Sequence, residues 1–200
     1  MLRGVIFDLD GTLVASRLDF NLMRAEMALP DGVPLLETIL ELPAAEANRC
    51  WEILGRHEAA GAEAATIIPG VEAFLAKISA LGLRQAIVTR NSRRYARHTL
   101  DRLGLKFEHV MTRDDAPIKP RPEAIWRICE AWGFAPAECV MLGDYRFDLE
   151  AGRAAGTRTV LYTENGRLAD RPWASLADFL LHSFEEPAEL LAWLTGPLPV

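Results

Sequence analysis

The chain is short of several things, and each shortage closes off a class of function. Lysine is scarce: only Lys77, Lys106 and Lys119 stand among 22 basic residues, and 28 acidic residues bring the net charge to −6. That balance offers no basic footprint for nucleic acid. Cysteine is scarce too. Cys50, Cys129 and Cys139 are odd in number, widely spaced and set in apolar surroundings, which fits reduced buried thiols better than disulfides or a zinc site. No apolar run approaches the ~20 residues of a membrane span. The first residues lack the basic, apolar and small-residue regions of a signal peptide. The expectation is a cytoplasmic protein with neither a nucleic-acid nor a membrane partner. There is no Gly-x-Gly-x-x-Gly and no P-loop, so nothing argues for a nucleotide site of either kind. His57, His98, His109 and His182 show no ligand spacing, and no internal repeat or low-complexity stretch interrupts the chain.

What is present is concentrated at the start. In Val5-Ile6-Phe7-Asp8-Leu9-Asp10-Gly11-Thr12-Leu13 an apolar run ends in two carboxylates one residue apart, followed by a glycine turn. A strand places residues i and i+2 on one face, so both acids can point at one spot. In an open α/β sheet, ligands bind outside the carboxyl ends of the strands. An EF-hand needs its glycine at the sixth position and a glutamate at the twelfth; here the glycine is fourth and the twelfth residue is Asp19. A plain turn after an edge strand is the bland alternative.

Half of the 200 residues are hydrophobic and a quarter charged, an ordinary globular composition able to build a substantial core. From Arg84 onward short apolar runs alternate with helical stretches, the pattern of a parallel sheet wrapped by helices. Strands are expected at 84–89, 107–112, 139–142 and 157–162. The helices between them are expected at 92–103 (closing on Gly104), from Pro122 to about Trp132, and at 146–155 (stopped by Gly156). A short strand at 178–182 precedes a helix expected to start at the Ser183-x-x-Glu186 capping box and to run to about Leu194. Residues from about 16 to 67 break the rhythm with three helices, 17–29, 35–42 and 44–65, and no convincing strand. The expected architecture is an α/β, doubly wound parallel sheet, residues 1–15 and 68–200, with a small helical cap of residues 16–67 inserted after the first strand. Trp51, Trp126, Trp132 and Trp193 fall on helices and are expected to pack.

Three more strand ends carry polar residues. Thr89, Arg90 and Asn91 end the second strand, Lys119 precedes the helix at Pro122, and Gly143-Asp144-Tyr145-Arg146-Phe147-Asp148 follows the fourth. In a parallel sheet these ends share one edge, so Asp8, Asp10, Thr89, Lys119 and Asp144 should converge. Three carboxylates around a point repel unless a cation sits among them, and an all-oxygen site beside a phosphate suits magnesium. Arg90, Arg93, Arg94 and Arg97 read either as a phosphate-attracting rim or as a solvated helix face.

Taken together, Asp8-Leu9-Asp10-Gly11-Thr12, Thr89 after an apolar strand, Lys119-Pro120 and Gly143-Asp144-x-x-x-Asp148 resemble the four signature motifs of the haloacid-dehalogenase-like hydrolase superfamily. The helical insertion lies where phosphoglycolate-phosphatase-like members carry a cap, and the likeness covers about residues 4–162. The resemblance implies a Mg²⁺-dependent phosphatase of a small phosphorylated metabolite, working through an aspartyl-phosphate, as a monomer or homodimer. It makes Asp8 the nucleophile and Asp10 the general acid and base. Asp8, the Asp10 carbonyl and Asp144 would hold Mg²⁺, with Asp148 acting through water or on Lys119. Thr89 and Lys119, with Leu9, Arg90 and Asn91 nearby, would bind the phosphoryl oxygens. Rivals are a phosphomutase of the beta-phosphoglucomutase kind, a 2-haloacid dehalogenase, against which Asp10 and Asp144 argue, and a catalytically silent binding module. Specificity is expected from the cap, with Arg17, Arg24, Arg49, Arg56 and His57 as possible contacts.

Overall fold

Val5 and Phe7 enter one apolar cluster and Ile6 another, so the first strand, β1 (Gly4–Phe7), is buried on both faces, as a central parallel strand must be. The computed structural model describes residues 1–196. Around β1 lie β4 (Arg84–Val88), β5 (His109–Met111), β6 (Cys139–Gly143), β7 (Arg158–Tyr162) and β8 (Phe179–Leu181), after the short strands β2 (Val14–Ala15) and β3 (Thr66–Ile67). The main sheet has six strands in the order β5-β4-β1-β6-β7-β8, and every pairing in it is parallel. The expected doubly wound parallel sheet is therefore what forms.

Helices α4 (Val71–Ala80), α5 (Arg93–Leu103) and α8 (Ala188–Thr195) send Phe74, Ile78, Leu100 and Leu190 onto the face that holds Val5 and Phe7. Helices α6 (Glu123–Trp132) and α7 (Arg146–Ala155) send Ile125, Ile128 and Ala151 onto the face that holds Ile6. The period of two in each strand and of 3.6 in each helix produces this two-faced core. β1 lies at the switch point, with the chain running outward to β4 and β5 on one side and to β6, β7 and β8 on the other. A crevice at the carboxyl ends follows from that order.

Backbone packing divides the chain into two units, one of Met1–Ala15 with the chain from Thr66 onward, the other Ser16–Ala65. The second holds α1 (Phe20–Met27), α2 (Leu35–Glu41) and α3 (Ala44–Ala64), with α1 and α2 packed on α3. Asp19 caps α1 by accepting from the Asn21 and Leu22 amides. Of the four arginines expected to read a substrate, Arg24, Arg49 and Arg56 have partners inside this unit. Arg49 donates to the Met27 carbonyl at 3.1 Å, Arg24 to Asn21, and Arg56 to Glu26 at 2.9 Å, with His57 Nε2 3.2 Å from the same carboxylate.

Some expectations are corrected. The last helix starts at Ala188 rather than at a Ser183 capping box. Pro187 disfavours helical backbone at Glu186, and the Ser183 hydroxyl instead accepts from the Glu185 amide. Within residues 16–67 there is one strand, β3, which pairs antiparallel with β2. Trp126 is 46% exposed, its indole donating to the Ala155 carbonyl. The three cysteines are buried and free. Among the described residues no helix is long and apolar enough to cross a membrane.

Candidate active site

The carboxyl ends of β1, β4 and β6 carry the polar residues directly after their last apolar ones. After β1 the chain turns at once. The Leu13 and Val14 amides both donate to the Leu9 carbonyl, and Gly11 takes φ +88°, a conformation that L side chains rarely adopt. The Leu9 side chain, expected near the phosphate, is instead buried in the core. Asp8 stays in line with the sheet because its amide donates to the Leu142 carbonyl of β6.

Lys119 is the centre of the arrangement. It is 2% exposed and its ammonium donates to Asp8 Oδ1 at 2.5 Å, to the Val88 carbonyl at 2.6 Å, and lies 2.6 Å from Asp148 Oδ1. A buried ammonium costs several kcal/mol to desolvate unless its three donors are satisfied, and here three acceptors satisfy them. Its peptide bond to Pro120 is cis.

Asp144 and Asp148 complete the acid cluster: with Asp8, each offers one carboxylate oxygen, all within 4.8 Å of one another. Three neighbours, present in the motifs but given no role there, make this possible. The Thr12 hydroxyl donates to Asp144 Oδ1 at 2.9 Å. Glycines make the room: a Cβ on Gly143 would lie 2.3 Å from the Asp148 carboxyl, and one on Gly11 2.6 Å from Asp144 Oδ2. Asp148 also accepts from the Tyr145 amide at 3.0 Å, which fixes it as the first-turn acid of α7.

Asp10 and Thr89 are tied together through Asn91, whose Nδ2 donates to Asp10 Oδ2 at 3.0 Å while its amide donates to the Thr89 hydroxyl at 3.0 Å. Asn91, expected near the phosphate, thus touches the candidate proton carrier. Arg90 gives its guanidinium to the Lys119 carbonyl and lays it over the Phe147 ring, 4.2 Å from the centroid. Of the other arginines weighed as a rim, Arg93 pairs with Asp115 at 2.5 Å and Arg94 lies over Tyr95.

The electrostatics define what the cluster lacks. Three ionised carboxylates facing one ammonium leave two uncompensated negative charges. Burial pushes the Asp8 carboxyl well above the usual carboxylate range, with Lys119 pulling down and Asp148 and Asp144 adding to the rise. Burial, then Asp148, pushes Asp144 up to about 7. Burial alone would lower Lys119, but Asp148 and Asp8 outweigh it and hold the ammonium above its usual range. A divalent cation bound by oxygen donors answers both the charge and the donor type, so the residues present fit such an ion.

One consequence is measurable without substrate. A raised carboxyl keeps its proton in the folded chain through a window where the unfolded chain has lost it, so stability falls as pH rises through that window. For Asp144 the window runs from 3.8 to about 7. In EDTA, melting temperature should decline from pH 5 to pH 8. Asp144→Asn should flatten the decline and melt higher than the unsubstituted chain at pH 8. Parallel declines in the two proteins would remove Asp144 as its source.

A parallel sheet with its switch point at β1, and two acids, a threonine, a buried lysine and a second acid pair at successive strand ends, define a hydrolase class. The chain belongs to the haloacid dehalogenase-like hydrolase family, whose model matches residues 22–162. It is similar to the plasmid-encoded phosphoglycolate phosphatase of Cupriavidus necator, 32% identical over 94% of this chain and 92% of that protein. It is also similar to a haloacid dehalogenase-like hydrolase domain-containing protein of Arabidopsis thaliana, 29% identical over 83% of this chain and 73% of that one. In fold it resembles the crystal structure of a hydrolase from Pseudomonas syringae, with a TM-score of 0.77, 20% identity, and 97% and 100% of the two chains covered.

Proposed function

We propose that this protein is a Mg²⁺-dependent phosphatase of a small phosphorylated metabolite, a phosphoglycolate-like phosphomonoester, acting through an aspartyl-phosphate on Asp8. The observation that carries the reading is the buried Lys119 ammonium held on Asp8 Oδ1 and beside Asp148 Oδ1, within an acid cluster whose charge calls for a cation. The likeness to the Cupriavidus necator phosphoglycolate phosphatase over nearly the whole chain supports the substrate class.

Asp8, Asp144 and Asp148 would hold the ion, with the Asp10 carbonyl as a further donor. Bound there, Mg²⁺ supplies Lewis-acid stabilisation of charge on the phosphoryl oxygens. The chain's own groups do the rest. One Asp8 carboxylate oxygen attacks phosphorus as the bond to the leaving oxygen breaks, and Asp10 delivers its proton to that oxygen. Asp10, now a carboxylate, takes a proton from the attacking water. The water oxygen bonds to phosphorus as the phosphorus–oxygen bond to Asp8 breaks, which releases inorganic phosphate and restores the Asp8 carboxylate. Lys119 and Thr89 stabilise negative charge on the transferring group. Asn91 keeps Asp10 aimed by its bond to Oδ2. The helical unit Ser16–Ala65 takes the part of a cap that selects the leaving group.

The test is a panel of phosphorylated metabolites and an aryl phosphate assayed with Mg²⁺ and with EDTA. Hydrolysis should appear with Mg²⁺ and vanish in the chelator. Full activity in EDTA would take the metal out of the mechanism, and no hydrolysis of any ester would favour a silent module.

A further inference from the structure

Arg90 joins three of the four strand-end segments that build the site. Its backbone follows Thr89 at the end of β4, its guanidinium donates to the Lys119 carbonyl, and the same group covers the Phe147 ring at 4.2 Å, between Asp144 and Asp148 in sequence. Its own carbonyl accepts from Arg113 at 3.2 Å, so the backbone is held as well as the side chain. Lys119 is thereby gripped at both ends. Its ammonium meets Asp8, Asp148 and the Val88 carbonyl, and its carbonyl meets Arg90.

The planar guanidinium suits this double contact, since it can donate along its edge while stacking on an aromatic face. Phe147 is itself in edge contact with Tyr145, whose ring lies 5.3 Å away, so the stack reaches the residue whose amide bonds Asp148. Lys119 also approaches the helix through Pro120 and Pro122, two residues that have no N–H to give. Few backbone bonds therefore anchor this loop, the Arg121 amide on the Ile118 carbonyl being one. A side-chain donor on the Lys119 carbonyl replaces part of what the prolines withhold.

We propose that Arg90 is a positioning residue, a clamp that fixes the Lys119 loop and the Asp144–Asp148 loop against the end of β4, and that its guanidinium does not bind the transferred phosphate. The proposal rests on the phosphatase reading for its kinetic part only. Lys119 must present its ammonium to Asp8 within hydrogen-bond distance, and a misplacement of about 1 Å can cost about 10²-fold in rate.

The test compares Arg90→Met, which keeps a stem but loses the donor and the cation, with Arg90→Lys, which keeps a cation and a donor. With an aryl phosphate and Mg²⁺, Arg90→Met should lose about 10- to 100-fold in kcat. Its KM, and inhibition by inorganic phosphate, should stay unchanged, and Arg90→Lys should recover part of the loss. A rise in the inhibition constant of phosphate, or an unchanged kcat, would overturn the clamp. Independently of turnover, hydrogen exchange at the Arg121, Tyr145 and Asp148 amides should quicken in Arg90→Met while the strand amides of β1 and β6 keep their protection. Unchanged exchange in either loop overturns the proposal whatever the kinetics do. If the unsubstituted chain hydrolyses no phosphate ester, the phosphatase reading fails and the exchange comparison still decides the clamp.

Discussion

Asp10→Asn should cripple hydrolysis of alkyl phosphates, by about 10² to 10⁴ in rate, and do far less when the leaving group is a good one such as a nitrophenolate. The reason is the division of labour that the proposed mechanism gives two acids a residue apart. Asp8 is fixed by Lys119 and has to be ionised to attack, whereas Asp10 hangs on Asn91 and has to carry the proton. A leaving group that departs readily as an anion needs no proton, so the loss shrinks as leaving-group pKa falls. Water activation is lost in the same variant, so a phosphorylated chain should accumulate with good leaving groups and show in intact mass. The measurement is kcat/KM against leaving-group pKa. A uniform loss with no slope would reduce Asp10 to a shaper of the loop.

The second large effect concerns stability. Lys119→Met should lower stability by about 3–5 kcal/mol, the cost of stripping the partner from a buried charge, or on the order of 10 °C in melting temperature for a chain of this size. It leaves Asp8 and Asp148 beside each other without their shared cation. Divalent metal should recover part of the loss, since it restores positive charge at the same oxygens. The loss should be greatest at pH 8 and smaller at pH 5, where the raised Asp8 carboxyl keeps more of its proton. A variant that melts with the unsubstituted chain at pH 8 in EDTA would mean that these ion pairs contribute nothing to the fold. Turnover should fall as well, but the melting curve is the sharper test because it needs no substrate.

Much of the sheet could be read from local signals. Gly104 and Gly156 end their helices in left-handed conformations, and Ser92 precedes the first residue of α5; such signals act within a turn and need no knowledge of the rest of the chain. The strand ends were legible because apolar runs stop abruptly at polar residues. What stayed hidden was set by contacts far apart in sequence. Thr12 reads as a turn hydroxyl until it is found on Asp144. Gly11 reads as the usual glycine of a turn until Asp144 Oδ2 is found 2.6 Å from where its Cβ would be. The ribbon of β2 and β3, two residues each, is too short to show a period. At the last helix a local signal misled, because Ser183-x-x-Glu186 has the letters of a capping box but Pro187 forces the start beyond it. Arg90 could be named from its position next to Thr89, but its partners on two other loops could not.

The ribbon bears on how such a chain can be rebuilt. Ala15 and Thr66 are register partners across β2 and β3, so the whole segment Ser16–Ala65 leaves and rejoins the sheet unit at a single rung. A tight two-residue turn spans such a rung, and the entropic cost of a longer closure grows only logarithmically with its length. The helices between thus have the connectivity of a cassette: excising them, or exchanging them for those of a relative, should leave unchanged the register of the strands that Asp8, Thr89 and Asp144 follow.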